Sequence, residues 1–224
     1  MGSITQLAHE RVATVVRPGD LVIDATAGNG HDAAFLAELV GPHGRVLAID
    51  RQQVAVEKTR QRLRVSGTVH ADVVLGDHAE IDVLARRWMG ELGQEATGRN
   101  ACATKDVDAT CRDVFATGGV AAVMFNLGYL PGGEKSIITE IRSTLPALAA
   151  AASLLRTGGI LSVVAYPGHP GGDLECRGVE EWFQQLSDTD WCVEPGDLPG
   201  EASASPARSG TGPRLFTAVR LRKQ

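Results

Sequence analysis

Apolar positions along this chain keep two rhythms. Short unbroken runs, among them Leu21-Val22-Ile23, Val46-Leu47-Ala48-Ile49 and Val120 to Phe125, have the length and continuity of strands buried on both faces. Stretches between them repeat at three and four residues, as amphipathic helices do. Ile4, Leu7, Ala8, Val12, Val15 and Val16 predict a helix over 4–16, ended by the Pro18-Gly19-Asp20 turn. Strand one at 21–24 leads to a helix over 33–39, strand two at 45–50 to a helix over 53–64, and strand three at 72–76 to a helix over 79–89. Residues 90–119 are rich in Gly, Thr, Ala and charge without periodicity, and 91–117 read as a mobile insertion. Strand four at 120–125 precedes a helix over 137–155, which Pro146 is placed to kink. Thr157-Gly158-Gly159 reads as that helix's stop, before strand five at 160–166. A helix over 174–187 and strands at 190–194 and 215–221, joined by a Gly/Ser/Pro-rich loop at 195–213, complete the chain. Alternating βα units imply an α/β, Rossmann-like fold. Its sheet is expected to be seven-stranded and mostly parallel, with an antiparallel last strand and helices on both faces.

Composition narrows the class. At 224 residues with 43% hydrophobic content, a single domain over 1–224 is the economical reading. No apolar run reaches the roughly 20 residues of a membrane span, and the first residues lack a basic segment followed by an apolar core, so a cytoplasmic enzyme without membrane partners is expected. Cys102, Cys111, Cys176 and Cys192 form no CxxC pair, so zinc ligation and a disulfide framework are poorly supported, and free thiols are expected. No histidine spacing suggests a metal site. A net charge of −5 argues against a uniformly basic nucleic-acid binder. The distribution is less uniform: Arg208, Arg214, Arg220, Arg222 and Lys223 follow the last acid, while Arg60, Arg62 and Arg64 end one helix and Arg86 and Arg87 another. These are either solvated helix ends and faces or an RNA-backbone footprint assembled in three dimensions.

Candidate chemistry sits at strand ends. Asp24-Ala25-Thr26-Ala27-Gly28-Asn29-Gly30-His31-Asp32 is a glycine-bearing turn between strand one and its helix, and strand two ends on Asp50. Such glycines let the backbone approach a nucleoside ligand, and an acid closing strand two can grip ribose hydroxyls. The dinucleotide fingerprint is incomplete, which favours S-adenosylmethionine over NAD and leaves an NAD-dependent oxidoreductase as the lesser alternative. Asp24, Thr26, Gly28, Asn29 and Gly30 are then expected along the methionine half. Asp32 has two open readings, ligand contact or a dipole-complementing acid. Asp77, closing strand three, is placed to meet the adenine amine, with His78 orienting it or standing as a loop histidine. Strand four ends in Asn126-Leu127-Gly128-Tyr129, where open α/β sheets bind ligands. A carboxamide next to an aromatic ring suits methylation of an amine, although Asn and Gly also suit turn geometry and Tyr suits packing.

Together D-A-T-A-G-N-G-H-D at 24–32, N-L-G-Y-L-P-G-G-E-K-S at 126–136 and Tyr166-Pro167-Gly168-His169-Pro170-Gly171-Gly172 resemble the signatures of a bacterial class I S-adenosylmethionine-dependent methyltransferase family. Once called putative rRNA methylases, that family includes the tRNA 5-aminomethyl-2-thiouridine methyltransferase. The resemblance runs from about Gly19 to Gly172. It implies a class I methyltransferase sheet and N-methylation of the 5-aminomethyl group on the wobble (2-thio)uridine in a tRNA anticodon loop. An rRNA or small-amine acceptor is the alternative, and a homodimer is left open. On this reading the Asn126 side chain and the Leu127 carbonyl hold the amine. Tyr129 stacks on the target base, and Tyr166 and His169 face the substrate.

Overall fold

A computed structural model describes residues 3–96, 119–130, 132, 138–194 and 212–222. Helix α1 (Ile4–Val15) opens the chain, with the Ser3 hydroxyl accepting the Gln6 amide at its N-terminus. Strand β1 (Leu21–Asp24), α2 (His31–Val40), β2 (Arg45–Asp50), α3 (Gln53–Val65) and β3 (Ala71–Leu75) follow as two successive βα units. A single 3₁₀ turn at His78–Glu80 enters α4 (Ile81–Ala96). Beyond it lie β4 (Val120–Leu127), α5 (Ile141–Leu154), β5 (Leu155–Ala165), α6 (Gly172–Gln184), β6 (Trp191–Glu194) and β7 (Arg214–Arg220).

The seven strands run in the order β3-β2-β1-β4-β5-β7-β6. Pairs from β3 through β5 are parallel, while β7 is antiparallel to both β5 and β6. This is the expected sheet, with the last strand inserted between its two predecessors. Strand alternation divides the core. Leu21 and Ile23 of β1 join Leu47, Phe125, Ile81, Leu148 and Phe183 on the face covered by α4, α5 and α6. Val22 between them joins Val46, Ala48, Met124, Leu36, Val56 and Val12 on the face covered by α1, α2 and α3. Each large side chain fully buried this way contributes about 1.5–3 kcal/mol. β1 and β4 are neighbours, so the chain reverses its direction of winding between them, and the crevice at their carboxyl ends is the place for a ligand.

Three boundaries differ from the sequence reading. Helix α4 continues to Ala96 despite Gly90 and Gly93, so residues 91–96 are not part of an excursion. Trp88 and Leu92 are both buried there, and packing outweighs the roughly 1 kcal/mol that each glycine costs a helix. The remainder of the expected insertion, with Cys102 and Cys111, lies outside the described residues. So do most of the 195–213 loop, Arg208 and Lys223. Helix α5 starts at Ile141, four residues later than expected. Thr157-Gly158-Gly159 is not a helix stop but part of β5, which already pairs Leu155 with Val120 and resumes register at Ile160 after a bulge.

Candidate functional site

A cavity of about 600 Å³ opens at the carboxyl ends of β1, β2 and β4. Its walls come from the 25–32 turn, residues 50–52 after β2, the 126–130 turn after β4, and Ser3, Thr5, Gln6 and His9 in and just before α1, with His78, Ile138, Thr139 and Tyr166 completing them.

The turn after β1 is anchored from beneath. Asp24 is completely buried; its Oδ1 accepts the Thr26 amide at 3.1 Å, and its Oδ2 has no hydrogen-bond partner among the described residues. Burial, then the nearby Asp32 charge, hold this carboxyl well above the usual carboxylate range. Gly30 takes the left-handed conformation (φ 77°) that begins α2, where a Cβ would stand 2.9 Å from Thr59 Cα. Asp50 braces the same turn from β2: its Oδ2 accepts the Gly28 amide and its Oδ1 the Gln52 amide, each at 2.8 Å. Burial raises the Asp50 pKa, and those two amides oppose the rise.

Asn126 closes β4. Its backbone amide donates to Thr26 Oγ1 at 2.6 Å, and its side-chain Nδ2 donates to Asp32 Oδ2. The other oxygen of Asp32 lies 2.6 Å from His9 Nε2, whose ring stacks flat on Phe35. Asn126 Oδ1 is buried without a partner among the described residues. Tyr129 is 45% exposed and packs edge-on against His169, while Tyr166 is 37% exposed at the cavity rim.

The expected site residues thus separate. Thr26, Gly28, Asn29, Asp32, Asp50, His78, Asn126, Leu127, Tyr129 and Tyr166 line the cavity together. Asp24, Gly30, Asp77 and His169 do not. Asp24 lies beneath the turn, and Gly30 is a packing point against α3. Asp77 uses Oδ1 to accept the Ala79 amide and cap the 3₁₀ turn. Its neighbour His78 is the buried group that reaches the cavity; burial pushes its pKa down, and its Nε2 lacks a partner among the described residues. His169 turns Nδ1 toward the Pro170 carbonyl and buries Nε2 near Gly128 and Gly172, behind Tyr129. The Leu127 carbonyl already accepts the Tyr166 amide at 3.3 Å in the β4–β5 ladder. Sequence reasoning placed α1 as a helix but missed its part in the site. Its signal was a polar stripe, Ser3, Gln6 and His9, on one face of an otherwise core-packed helix.

Several cations considered for an RNA footprint instead tie elements together. Arg60 donates to the Val73 carbonyl, Arg62 to the Asn29 carbonyl, Arg220 to the Leu155 carbonyl, and Arg214 forms a two-point pair with Glu180.

The fold, its switch-point cavity and the β4 turn all agree with one match: residues 46–206 fit the family described as Putative rRNA methylase. The chain belongs to that family. With membership comes the class of S-adenosylmethionine-dependent methyltransferases. The chain is 38% identical over 193 residues to a chloroplastic tRNA (mnm(5)s(2)U34)-methyltransferase of Arabidopsis thaliana, an alignment covering 84% of this chain and 61% of that protein. The chain therefore spans about three-fifths of that relative's length. Among solved structures, one described as a putative rRNA-methylase from Clostridium thermocellum is 31% identical with a TM-score of 0.76, covering 99% of both chains. A putative methyltransferase from Streptococcus mutans, solved in complex with SAH, is 26% identical with a TM-score of 0.71, again over 99% of both. Residues 3–80 also fit the protein-L-isoaspartate O-methyltransferase family, whose acceptor is chemically different.

The residues fit the expected cofactor. His78 Nε2 at the cavity wall is a buried polar atom lacking a protein partner among the described residues, and a cavity lined by Asp32 and Asp50 suits a ligand that carries positive charge.

Proposed function

We propose that this chain is an S-adenosylmethionine-dependent RNA methyltransferase that N-methylates the 5-aminomethyl group of the wobble (2-thio)uridine in the anticodon loop of tRNA. The observation that carries this reading is Asn126 Oδ1, a buried acceptor without a partner among the described residues at the end of β4, beside two half-exposed tyrosines. An amine has the N–H groups this oxygen lacks. Bound S-adenosylmethionine supplies an electrophilic methyl group on a sulfonium.

The chain supplies position and exclusion of water, a contribution that can reach several kcal/mol of a methyl-transfer barrier. Asp50 and the turn it braces form the cofactor half, with His78 at its far wall. Asn126 Oδ1 accepts from the amine and aims its lone pair. Tyr129, held edge-on by His169, offers a face to an extruded base, and a wobble base already in a loop is cheap to extrude. Two details support the division of labour. The isoaspartate methyltransferase match stops at residue 80, before the acceptor-side turn, as expected if the first half holds the shared cofactor. The side chains of Asp32 and Asp50 on the cavity wall suit a cationic ligand and oppose the pyrophosphate that an NAD enzyme would bring.

The test is transfer of labelled methyl from S-adenosylmethionine to undermethylated tRNA, with rRNA and small amines as parallel acceptors. Nucleoside mass spectrometry of tRNA from cells lacking the protein supplies the second measurement. Loss of the methyl on the wobble 5-aminomethyl group is expected. Transfer to rRNA or a small amine alone would overturn the acceptor assignment. Asn126→Ala is expected to lower turnover about a hundredfold while leaving cofactor affinity nearly intact.

A further inference from the structure

Asp32 is enclosed from three elements. It stands in the first turn of α2, 5% exposed, with His9 of α1 on Oδ1 and Asn126 of β4 on Oδ2. An ionised carboxylate only accepts hydrogen bonds, so the atom facing it from Asn126 must be the amide nitrogen and the atom facing it from His9 must carry a proton. This leaves the Asn126 amide one orientation, with Oδ1 turned away from Asp32. The imidazole is itself fixed, its ring parallel to Phe35 within 1° at a centroid distance of 3.8 Å.

We propose that His9 and Asp32 are positioning residues for Asn126, joined as an imidazole–carboxylate–carboxamide chain whose free end is the acceptor oxygen Oδ1. This rests on the proposed amine-binding role of Asn126, and it gives Asp32 a task other than cofactor contact. Two physical effects follow. An unrestrained carboxamide turns over easily, and a flipped Asn126 would present N–H groups to an amine it must accept from; the carboxylate forbids that state. An amide whose N–H donates to a negative charge also carries more charge on its oxygen, so Oδ1 becomes a stronger acceptor. His9 keeps Asp32 in register, because a carboxylate held on one oxygen only is free to rotate. α1 thereby contributes to the reacting end of the cavity as well as to its wall.

The chain contains three asparagines, Asn29, Asn100 and Asn126, so the side-chain amide of Asn126 is assignable in asparagine-labelled protein by its loss in Asn126→Asp. In the ligand-free protein its two amide protons are expected to be widely separated in shift, one of them far downfield. Asp32→Ala and His9→Ala should narrow that separation. An amide signal indifferent to both substitutions would overturn the proposal, whatever the acceptor is. Calorimetry with S-adenosylhomocysteine and methyl transfer to tRNA complete the test. Asp32→Asn, which removes the charge, and His9→Ala should each lower kcat on the order of tenfold or more with cofactor affinity within about twofold. His9→Gln, which restores a donor, should recover most of the loss. In an Asn126→Ala background His9→Ala should cost almost nothing further, since the two act as one unit. A large fall in S-adenosylhomocysteine affinity for Asp32→Asn would make Asp32 a cofactor ligand and sink the positioning role. Full turnover in Asn126→Ala would instead remove the amine-binding reading and leave the amide signal to decide the chain's existence.

Discussion

At the scale of single residues, burial raises the pKa of both acids that end β1 and β2, but only Asp50 lines the cavity. Asp24 is buried with one oxygen unpartnered among the described residues, and its carboxyl is held above the ordinary range by desolvation and by Asp32. A carboxyl whose folded pKa exceeds its unfolded value stabilises the fold fully at pH below the unfolded value, and that contribution is lost as pH rises through the folded one. Asp24→Asn keeps the acceptor for the Thr26 amide and cannot ionise. Thermal melts of the ligand-free protein should therefore show the variant more stable near neutral pH, by about 2–4 °C for each kcal/mol. The gap should close below about pH 4, where both proteins are uncharged at this position. The same variant is expected to bind S-adenosylmethionine less well. Asp50 both lines the cavity and accepts the Gly28 and Gln52 amides, so Asp50→Ala removes a ligand contact and slackens the turn. A loss of about 1.5–3 kcal/mol in cofactor affinity by calorimetry is expected. Both acids were visible as strand-ending carboxylates; that only one of them faces the cavity was not, because it depends on the strand register: Asp24 lies level with Ala48, and Asp50 stands two residues further along β2.

At the scale of elements, strands were easier to read than the places where helices stop. Runs such as Val120 to Phe125 have one explanation, burial on both faces. Glycines have two. Gly90 and Gly93 suggested a break, yet α4 passes through them because Trp88 and Leu92 pack on the sheet. Amide exchange should consequently show residues 81–94 protected. Rapid exchange from Gly90 onward would mean that this packing does not hold the last turns. Gly158 and Gly159 suggested an end and lie inside β5. A Cβ at Gly159 would stand 2.9 Å from the Arg156 carbonyl oxygen, so a glycine there serves close backbone approach rather than termination. Gly30 is the clearest case of a glycine read for one reason and needed for another. A Gly30→Ala chain meets Thr59 Cα at 2.9 Å with φ at 77°, and should be destabilised by about 1–3 kcal/mol in urea melts. The His9–Asp32–Asn126 contact was illegible for a different reason: its members lie 23 and 94 residues apart, and no local pattern announces a meeting of α1, α2 and β4.

At the scale of the whole molecule, one sheet separates two apolar clusters, and side chains alternate between them along every central strand. A single cooperative unit is expected. The tryptophans allow a test, because Trp88, Trp182 and Trp191 all belong to or pack on the cluster beneath α4, α5 and α6. Leu36 lies in the opposite cluster. Leu36→Ala should cost about 2–5 kcal/mol and lower the tryptophan-fluorescence midpoint together with the far-ultraviolet circular dichroism midpoint. Separate midpoints would show that the two layers unfold independently. The parallel order of the central strands was legible because βα alternation leaves few alternatives; an antiparallel last strand was expected, but its place between β5 and β6 was not, since two short terminal strands do not specify their neighbours.

The acids around the β1 and β2 ends also give turnover a direction. S-adenosylmethionine arrives with a positive sulfur and leaves as a neutral thioether, while Asp32 and Asp50 stay where they are. A cavity that attracts the arriving charge has less to hold once the charge is gone, so the reaction itself weakens the grip on its product. Asp50→Asn should flatten that contrast, bringing the affinities for substrate and product cofactor closer together than in the unaltered chain.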